Sequence, residues 1–386
     1  MNPAAFGSLP ASGAADVTYA FDNFGRTTSA AITGHTLSFG YDALSRVTSQ
    51  TNPRGTLGYE YDIAGRRTRV THPDSFYATY DWNLANEVTS IGVNGVSVVA
   101  NYTHDDLGRR TRLDRANNVD TVWSYNGASW LTGIAHTFDN STSDNQTLGY
   151  TRNPAGQIVA RTSSNSAYAY PTPGNGTIGY ADNGLNRYTT VGSSTPTYDA
   201  RGNITWDGQR SYTYDPLNRL VTAGAGTLGW DPVDRLATFN NGSGNQGALW
   251  DGGDLVIDYA PSGAVTRRFV HGPGLDEPLV WYDGTGTSTP KWAVADNLGS
   301  VIAWSNASGA RTVTNAFDEY GCPAGNNSVR FQFTGQTWMP GTIGGDLYYY
   351  KARIFSSTLG RFLQTDPIGY AGGLNLYTTS VTTQRP

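Results

Sequence analysis

Along most of the chain a large aromatic ring stands beside an aspartate. Two variable residues follow, then a glycine or asparagine, an arginine, and a run rich in threonine, valine and leucine. The ring–aspartate pair recurs at Phe21-Asp22, Tyr41-Asp42, Tyr61-Asp62, Tyr80-Asp81, Tyr198-Asp199, Tyr214-Asp215 and Trp230-Asp231. The first four starts are 20, 20 and 19 residues apart, and the last three are 16 and 16 apart. The clearest units are FDNFGRTTS (21–29), YDALSRVTS (41–49), YDIAGRRTR (61–69), YDARGNIT (198–205), YDPLNRLVT (214–222) and WDPVDRLAT (230–238). Looser copies begin at Tyr102, Tyr125 and Tyr150, spaced by 22 to 25 residues. A short period of this kind marks a fold built from repeated supersecondary units, none of which buries its own face alone.

Each unit reads as a β-hairpin. The ring ends one strand, and the Asp carboxylate can take nearby backbone N–H groups as Asx-turns do. Gly25, Gly65, Gly202 and Asn218 occupy a slot suited to positive φ. Arg26, Arg46, Arg66, Arg219 and Arg235 open the return strand, and the β-branched residues after them favour a pleated conformation. The register predicts turns at 22–25, 42–45, 62–65, 199–202, 215–218 and 231–234, and an all-β chain of stacked hairpins in an extended or spiral sheet. An edge strand is expected to lie open at the N-terminal end, favouring self-association.

Composition narrows the function classes. With 47 Gly and 18 Pro, 15% charged residues and 12% aromatics, the 386-residue chain is neither a coiled coil nor disordered. The net charge is −5 and no block of like charge occurs, which argues against a nucleic-acid partner held by phosphate contacts. Lys291 and Lys351 are the two lysines, so 24 of the 26 basic residues are arginine. Cys322 is the single cysteine and cannot form an internal disulfide. The start of the chain lacks a basic patch followed by an apolar run, and no stretch approaches a membrane span of about 20 apolar residues.

Most candidate chemistry falls away on spacing. His35, His72, His104, His136 and His271 are scattered without metal-ligand spacing, so no metal is expected. Gly224-Ala-Gly226-Thr-Leu-Gly229 has the letters of a dinucleotide loop but lies between two repeat hairpins with no helix to follow. No G-x-S-x-G elbow is present, and no cofactor is expected. The tyrosines and tryptophans could stack on sugars, but at repeat spacing they read as shell packing.

The Y-D-x-x-G-R-x-T pattern resembles the YD repeat of the RHS family. Residues 255–377 resemble the RHS repeat-associated core region through FVHGPGLDEPLV (269–280), ADNLGSV (295–301), FDEYG (317–321), FQFTGQ (331–336), DLYYYKAR (346–353), LGRFLQTDPIG (359–369) and AGGLNLY (371–377). The resemblance implies three regions: YD hairpins over 1–254, the core region over 255–377, and a non-family tail over 378–386. It implies a hollow, shell-like sheet closed at one end by the core region. A variable C-terminal domain, often a toxin, is sealed inside and released by self-cleavage. Implied partners are that toxin and secretion-system components. The implied setting is bacterial, cytoplasmic before export and then secreted or at the cell surface without an N-terminal signal peptide. The function expected is an encapsulation shell of a polymorphic-toxin carrier whose toxin is absent; the alternative is a cell-surface module that binds carbohydrate.

The family's cutting motif has two Asp-Pro-x-Gly halves. Asp366-Pro367-Ile368-Gly369 matches the first, and the second is missing. Asp366 is the implied catalytic carboxylate, with Arg361 to orient it or the scissile loop; Gly372, Gly373 and Asn375 would shape the backbone. An aspartyl mechanism needs two carboxylates sharing a proton, so self-cleavage is expected to be inactive here. After Tyr377 the family continues with Tyr-Val-x-Asn-x-Pro, whereas this chain reads TTSVTTQRP over 378–386. Plausible codons for that tail, read two bases later, give Tyr-Val-Gly-Asn-Asp-Pro, so a frameshifted tail is expected.

Overall fold

The computed structural model describes residues 16–95, 97–171, 177–325, 327, 329–339 and 343–378. Of the expected tail at 378–386, residues 379–386 lie outside the described residues. The chain is almost wholly β, with isolated 3-10 turns. Fourteen antiparallel strands, from Thr18–Phe21 to Ile158–Ser163, form one sheet in strict sequence order. Eleven more, from Tyr212–Tyr214 to Arg311–Thr314, form a second sheet in the same manner. Two hairpins, Tyr180–Val191 and Thr197–Trp206, lie between them in the chain. A four-stranded sheet follows: Thr337–Met339, Leu347–Tyr350, Arg353–Ser356 and Arg361–Phe362.

One turn geometry generates both long sheets. In the unit beginning at Phe21, the Asp22 N–H donates to the Arg26 carbonyl at 3.0 Å and the Gly25 N–H to the Asp22 carbonyl at 3.0 Å. Asp22 Oδ1 accepts the N–H groups of Phe24 and Arg26 at 2.9 and 3.0 Å, and Oδ2 pairs with Arg26 at 2.6 Å. The fourth turn residue sits at φ 76°, and the strand pairing slips there by one residue. This is a type I turn closed by a bulge residue in the left-handed region, and it fixes the register of the two strands it joins. The six predicted turns all have this form. The slot holds Gly25, Gly65, Gly202 and Asn218 (φ 63°) as expected, but also Ser45 (φ 64°) and Asp234 (φ 63°).

Three repeat boundaries differ from the sequence reading. The fourth turn is formed by Asn83–Asn86, not by Tyr80-Asp81: Asn83 Oδ1 accepts the N–H groups of Ala85 and Glu87, and Trp82 fills the ring position. Asp81 instead takes the Ser90 hydroxyl across the strands. The copies placed at Tyr102 and Tyr150 make their turns three residues later, at Asp105–Gly108 and Asn153–Gly156. An Asn carbonyl accepts the same two N–H bonds as an Asp carboxylate, so the turn survives loss of the charge. Gly224 forms a tight two-residue hairpin between Leu220–Ala223 and Gly226–Trp230.

The core comes from layering rather than from side-by-side stacking alone. One face of the first sheet is buried and the other is exposed, as the alternating pattern of His35–Tyr41 shows. The second sheet is buried on both faces. Val270, Val280, Tyr282 and Trp292 pack with Ile91, Val93, Val99 and Tyr102 of the first sheet. Their neighbours Phe269, Trp281 and Ala293 point the other way, into a cluster with Met339, Leu347, Tyr349, Ile354 and Leu363. Alternate side chains of one strand thus serve two different interfaces. Polar bonds bridge the two long sheets at a regular interval: Gln50 Nε2 donates to the Trp250 carbonyl, Trp292 Nε1 to that of Val99, and Asn117 Nδ2 to that of Asn306, across 200, 193 and 189 residues. The strip therefore returns over itself once, 189 to 200 residues on, as one turn of a spiral does.

Candidate functional site

Two constellations of functional interest emerge: the joint between successive hairpins, and the ground around Asp366. In the joint, the turn arginine does three things at once. Arg46 pairs with Asp42 at 2.6 Å, donates Nη1 to the carbonyl of Asp62 in the next turn at 3.0 Å, and lies 4.8 Å from the centre of the Tyr61 ring. The Tyr61 hydroxyl reaches back to the Val47 carbonyl at 2.7 Å. Arg26 with Tyr41 repeats the arrangement, and Arg66 with Trp82 uses the indole N–H in place of a hydroxyl. Hydrogen bonds from the Arg46 backbone, prevailing over burial, hold the Asp42 carboxyl below its ordinary value. Ring, Asp, bulge residue and Arg are thus parts of one clamp joining unit to unit, and its rings carry an arginine and spend their polar atom on the wall.

Asp366 ends the strand region after Arg361–Phe362 and begins a tight turn. Its Oδ1 accepts the Ile368 N–H at 3.1 Å, and its carbonyl takes the Gly369 N–H at 2.9 Å, with Pro367 between. Its other oxygen, Oδ2, faces Arg353 Nη2 at 3.0 Å, with both side chains about 12% exposed. Arg353 also donates to the Leu376 carbonyl at 3.2 Å, while the Asp366 N–H donates to that same carbonyl at 2.9 Å. Burial pulls the Arg353 guanidinium below its ordinary value, and the Asp366 charge opposes that pull. Arg353 thus fixes both the carboxylate and the chain that returns past it.

Arg361 does not contact this carboxylate. It is buried, donates to the Asn186 carbonyl at 2.7 Å, and lies 3.2 Å from the Tyr188 ring centre and 5.3 Å from that of Tyr377. It ties the four-stranded sheet to the hairpin at 180–191. Tyr377 completes that tie: its hydroxyl donates to the Gly202 carbonyl at 2.8 Å and accepts from Arg187 Nε at 3.2 Å. Burial raises the Tyr377 phenol pKa despite both arginines. Gly202 stands at φ 92°, and a Cβ there would meet the Tyr377 hydroxyl at 2.9 Å and Thr365 at 3.0 Å, so only glycine suits the slot.

Sequence reasoning singled out Asp366, Pro367 and Gly369, which the structure brings together in one turn. It missed Arg353, which carries no local spacing signal because its contact with Asp366 is made across the folded sheet. Asp346 and Asp318 are engaged elsewhere. Asp346 takes Arg210 at 3.0 Å and Ser356 at 3.2 Å, and Asp318 takes the N–H groups of its own turn. A carboxylate bound to an arginine can accept a proton or orient water, but protonating a leaving amine calls for a second, protonated acid. Among the described residues no group of three or more His, Cys, Asp or Glu could hold a metal ion, and no helix is long and apolar enough to cross a membrane.

Residues 41–76 match the family model "RHS Repeat". No curated protein shows significant similarity. Among solved structures, the chain is similar to TcdB2-TccC3 without its hypervariable C-terminal region, at 15% identity and a TM-score of 0.58 over 93% of this chain and 24% of that one. It is equally similar to a chain of the Photorhabdus luminescens Tc holotoxin pore, at 15% identity and a TM-score of 0.59 over 92% and 23%. The chain thus spans about a quarter of the length of the structures it resembles. Residues 41–76 are thus an RHS repeat, the same turn and clamp recur well beyond them, and the fold is shared with these solved structures.

Proposed function

We propose that the chain forms part of an encapsulating RHS shell, with the 255–377 core region as the element that closes it over a C-terminal cargo. The observation that carries this reading is the third layer. The four-stranded sheet packs Met339, Leu347, Tyr349 and Ile354 onto the second sheet and ends with Tyr377 plugged into the Gly202 turn. A wall that returns over itself and is then capped is suited to enclosing a volume. The eleven-stranded sheet runs through residue 255 without a break.

In this reading Asp366 and Arg353 are one half of a self-cleavage site, with Arg353 positioning the carboxylate and Arg361 holding the cap on the neighbouring hairpin. Carbohydrate binding draws less support, because the repeat rings already carry arginines and donate their polar atoms to the wall. The test is protection. A folded reporter domain fused after Tyr377 should resist a protease that digests the free reporter. Digestion at the free rate sinks the shell reading.

A further inference from the structure

Between the two long sheets lies a cavity of about 260 Å³. Its walls are about half apolar, with Leu113, Trp123 and Leu131 from the first sheet and Pro278, Leu279 and Ala293 from the second. Three carboxylates reach it, and each is already engaged. Glu277 is ion-paired with Arg110, and Asp276 takes Lys351 Nζ at 2.6 Å. Asp296 accepts the N–H groups of Leu298 and Ser300 at 2.9 Å, with Arg161 at 3.6 Å.

Arg115, which also lines the cavity, differs. It is 6% exposed and donates to two neutral oxygens, the Val119 carbonyl at 3.1 Å and Thr121 Oγ1 at 2.8 Å. Its buried Nε has no hydrogen-bond partner. Glu277 and Asp120 act on it only through space. Burial brings its pKa down to about 10, so it remains a cation at neutral pH. A guanidinium that has left water without gaining a carboxylate is an expensive thing to bury, unless a counter-charge arrives from outside.

We propose that this cavity is a binding site for a small organic acid, with its apolar body among Leu113, Trp123 and Leu131 and its carboxylate on Arg115. A bare inorganic anion would leave the apolar walls unused, and an apolar ligand would leave the cation unpaired. Arg110, Tyr125 and Asn297, with the engaged Asp276, Glu277 and Asp296, are half-buried members of the lining, so the mouth is polar. An acid bound here touches both sheets and joins the two layers of the wall, so binding raises the thermal midpoint.

The experiment is calorimetric titration of the full chain with hexanoate, hexan-1-ol and hexylammonium at pH 7.5 and constant ionic strength. Hexanoate should bind saturably, about tenfold or more tightly than hexan-1-ol, as a charge-assisted hydrogen bond requires. Hexylammonium should not bind. R115M should reduce hexanoate to the level of hexan-1-ol, and R115K should restore part of the difference. If hexan-1-ol binds as tightly as hexanoate, or hexanoate does not bind, the proposal is wrong. The three ligands on the unaltered chain decide the matter without the variants.

Discussion

Arg235 pairs with Asp231 at 2.7 Å while its Nη1 reaches Gln50 Oε1 at 3.2 Å, so one turn arginine joins a hairpin of the second sheet to a strand 185 residues earlier. The same turn in the first sheet has no such neighbour. Arg66 pairs with Asp62 at the same 2.7 Å, but the Asp62 side chain is 21% exposed where that of Asp231 is 3%. Identical local geometry is therefore placed in two different dielectric settings.

The first prediction follows from that contrast. Removing one partner of a buried, hydrogen-bonded pair strands a charge, at a cost of about 3 kcal/mol. Asp231→Ala should therefore lower the thermal midpoint clearly, because it orphans Arg235 and the N–H groups of Val233 and Arg235. Asp62→Ala should lower it less, since water reaches the turn. Equal shifts in differential scanning calorimetry would show that the turn, not its burial, sets the cost.

The third layer offers a second test. Tyr349 sets its ring 5.1 Å from Trp250 and 5.9 Å from Trp230, and its hydroxyl accepts the Leu236 N–H at 3.2 Å. Tyr349→Phe keeps the ring and leaves that N–H unpaired, costing about 1–3 kcal/mol. Tyr349→Ala also opens a cavity and should cost about 3–5 kcal/mol. Because Leu236 lies in the second sheet, both variants should loosen the cap before the first sheet. Hydrogen exchange resolved along the chain would show it, and uniform loss of protection would contradict it.

How much of this was legible in the sequence depends on distance along the chain. The turn at Asp42–Arg46 closes on itself within five residues, so its Asp, bulge slot and Arg announce it. The Asn83 and Asn153 turns were harder, because an amide makes the same bonds without the repeat's signature letter. The packing of Val99 against Trp292 was not legible, since nothing in a 20-residue period states the circumference of the spiral. Asp366 was visible through its Asp-Pro-x-Gly turn, whereas Arg353 was hidden because a charge pair across a sheet leaves no spacing rule. The candidate at Arg361 marks a structural tie, a hydrogen bond to the Asn186 carbonyl and a ring contact with Tyr188 that no spacing in the sequence announces.

Acid should unfold the wall through its buried histidines. His136 is 2% exposed, and burial, reinforced by Arg115, pushes its pKa from 6.5 to about 3. His72 is pushed to about 3 by burial, with Arg268 and His271 adding to it. A histidine depressed in this way is neutral when folded and protonates readily when unfolded. Its contribution is complete above pH 6.5 and is lost progressively as pH falls from there toward about 3. The thermal midpoint should therefore be level from pH 8 to 7 and fall steadily below pH 6. His136→Asn, which keeps a partner for Thr121 Oγ1, should flatten that slope. A midpoint independent of pH between 6.5 and 4.5 would show that these rings are not desolvated in solution.

The final prediction concerns chemistry at Asp366. A carboxylate paired with Arg353 at 3.0 Å is placed to accept a proton or to orient water. Peptide hydrolysis also needs an acid to protonate the departing amine, and a scissile bond held between the two groups. Asp346 is bound to Arg210 and Asp318 to its own turn, and the residues written after Tyr377 contain no acid. The purified chain should keep its full mass through long incubation. Reading the gene two bases later after codon 377 should restore an Asp-containing continuation and permit a cut. Asp366→Asn should then abolish that cut, and Arg353→Met should slow it by releasing both the carboxylate and the Leu376 carbonyl. Intact-mass spectrometry decides between the outcomes. A discrete fragment from the present chain that vanishes in Asp366→Asn would show that Asp366 finds its second acid within these 386 residues.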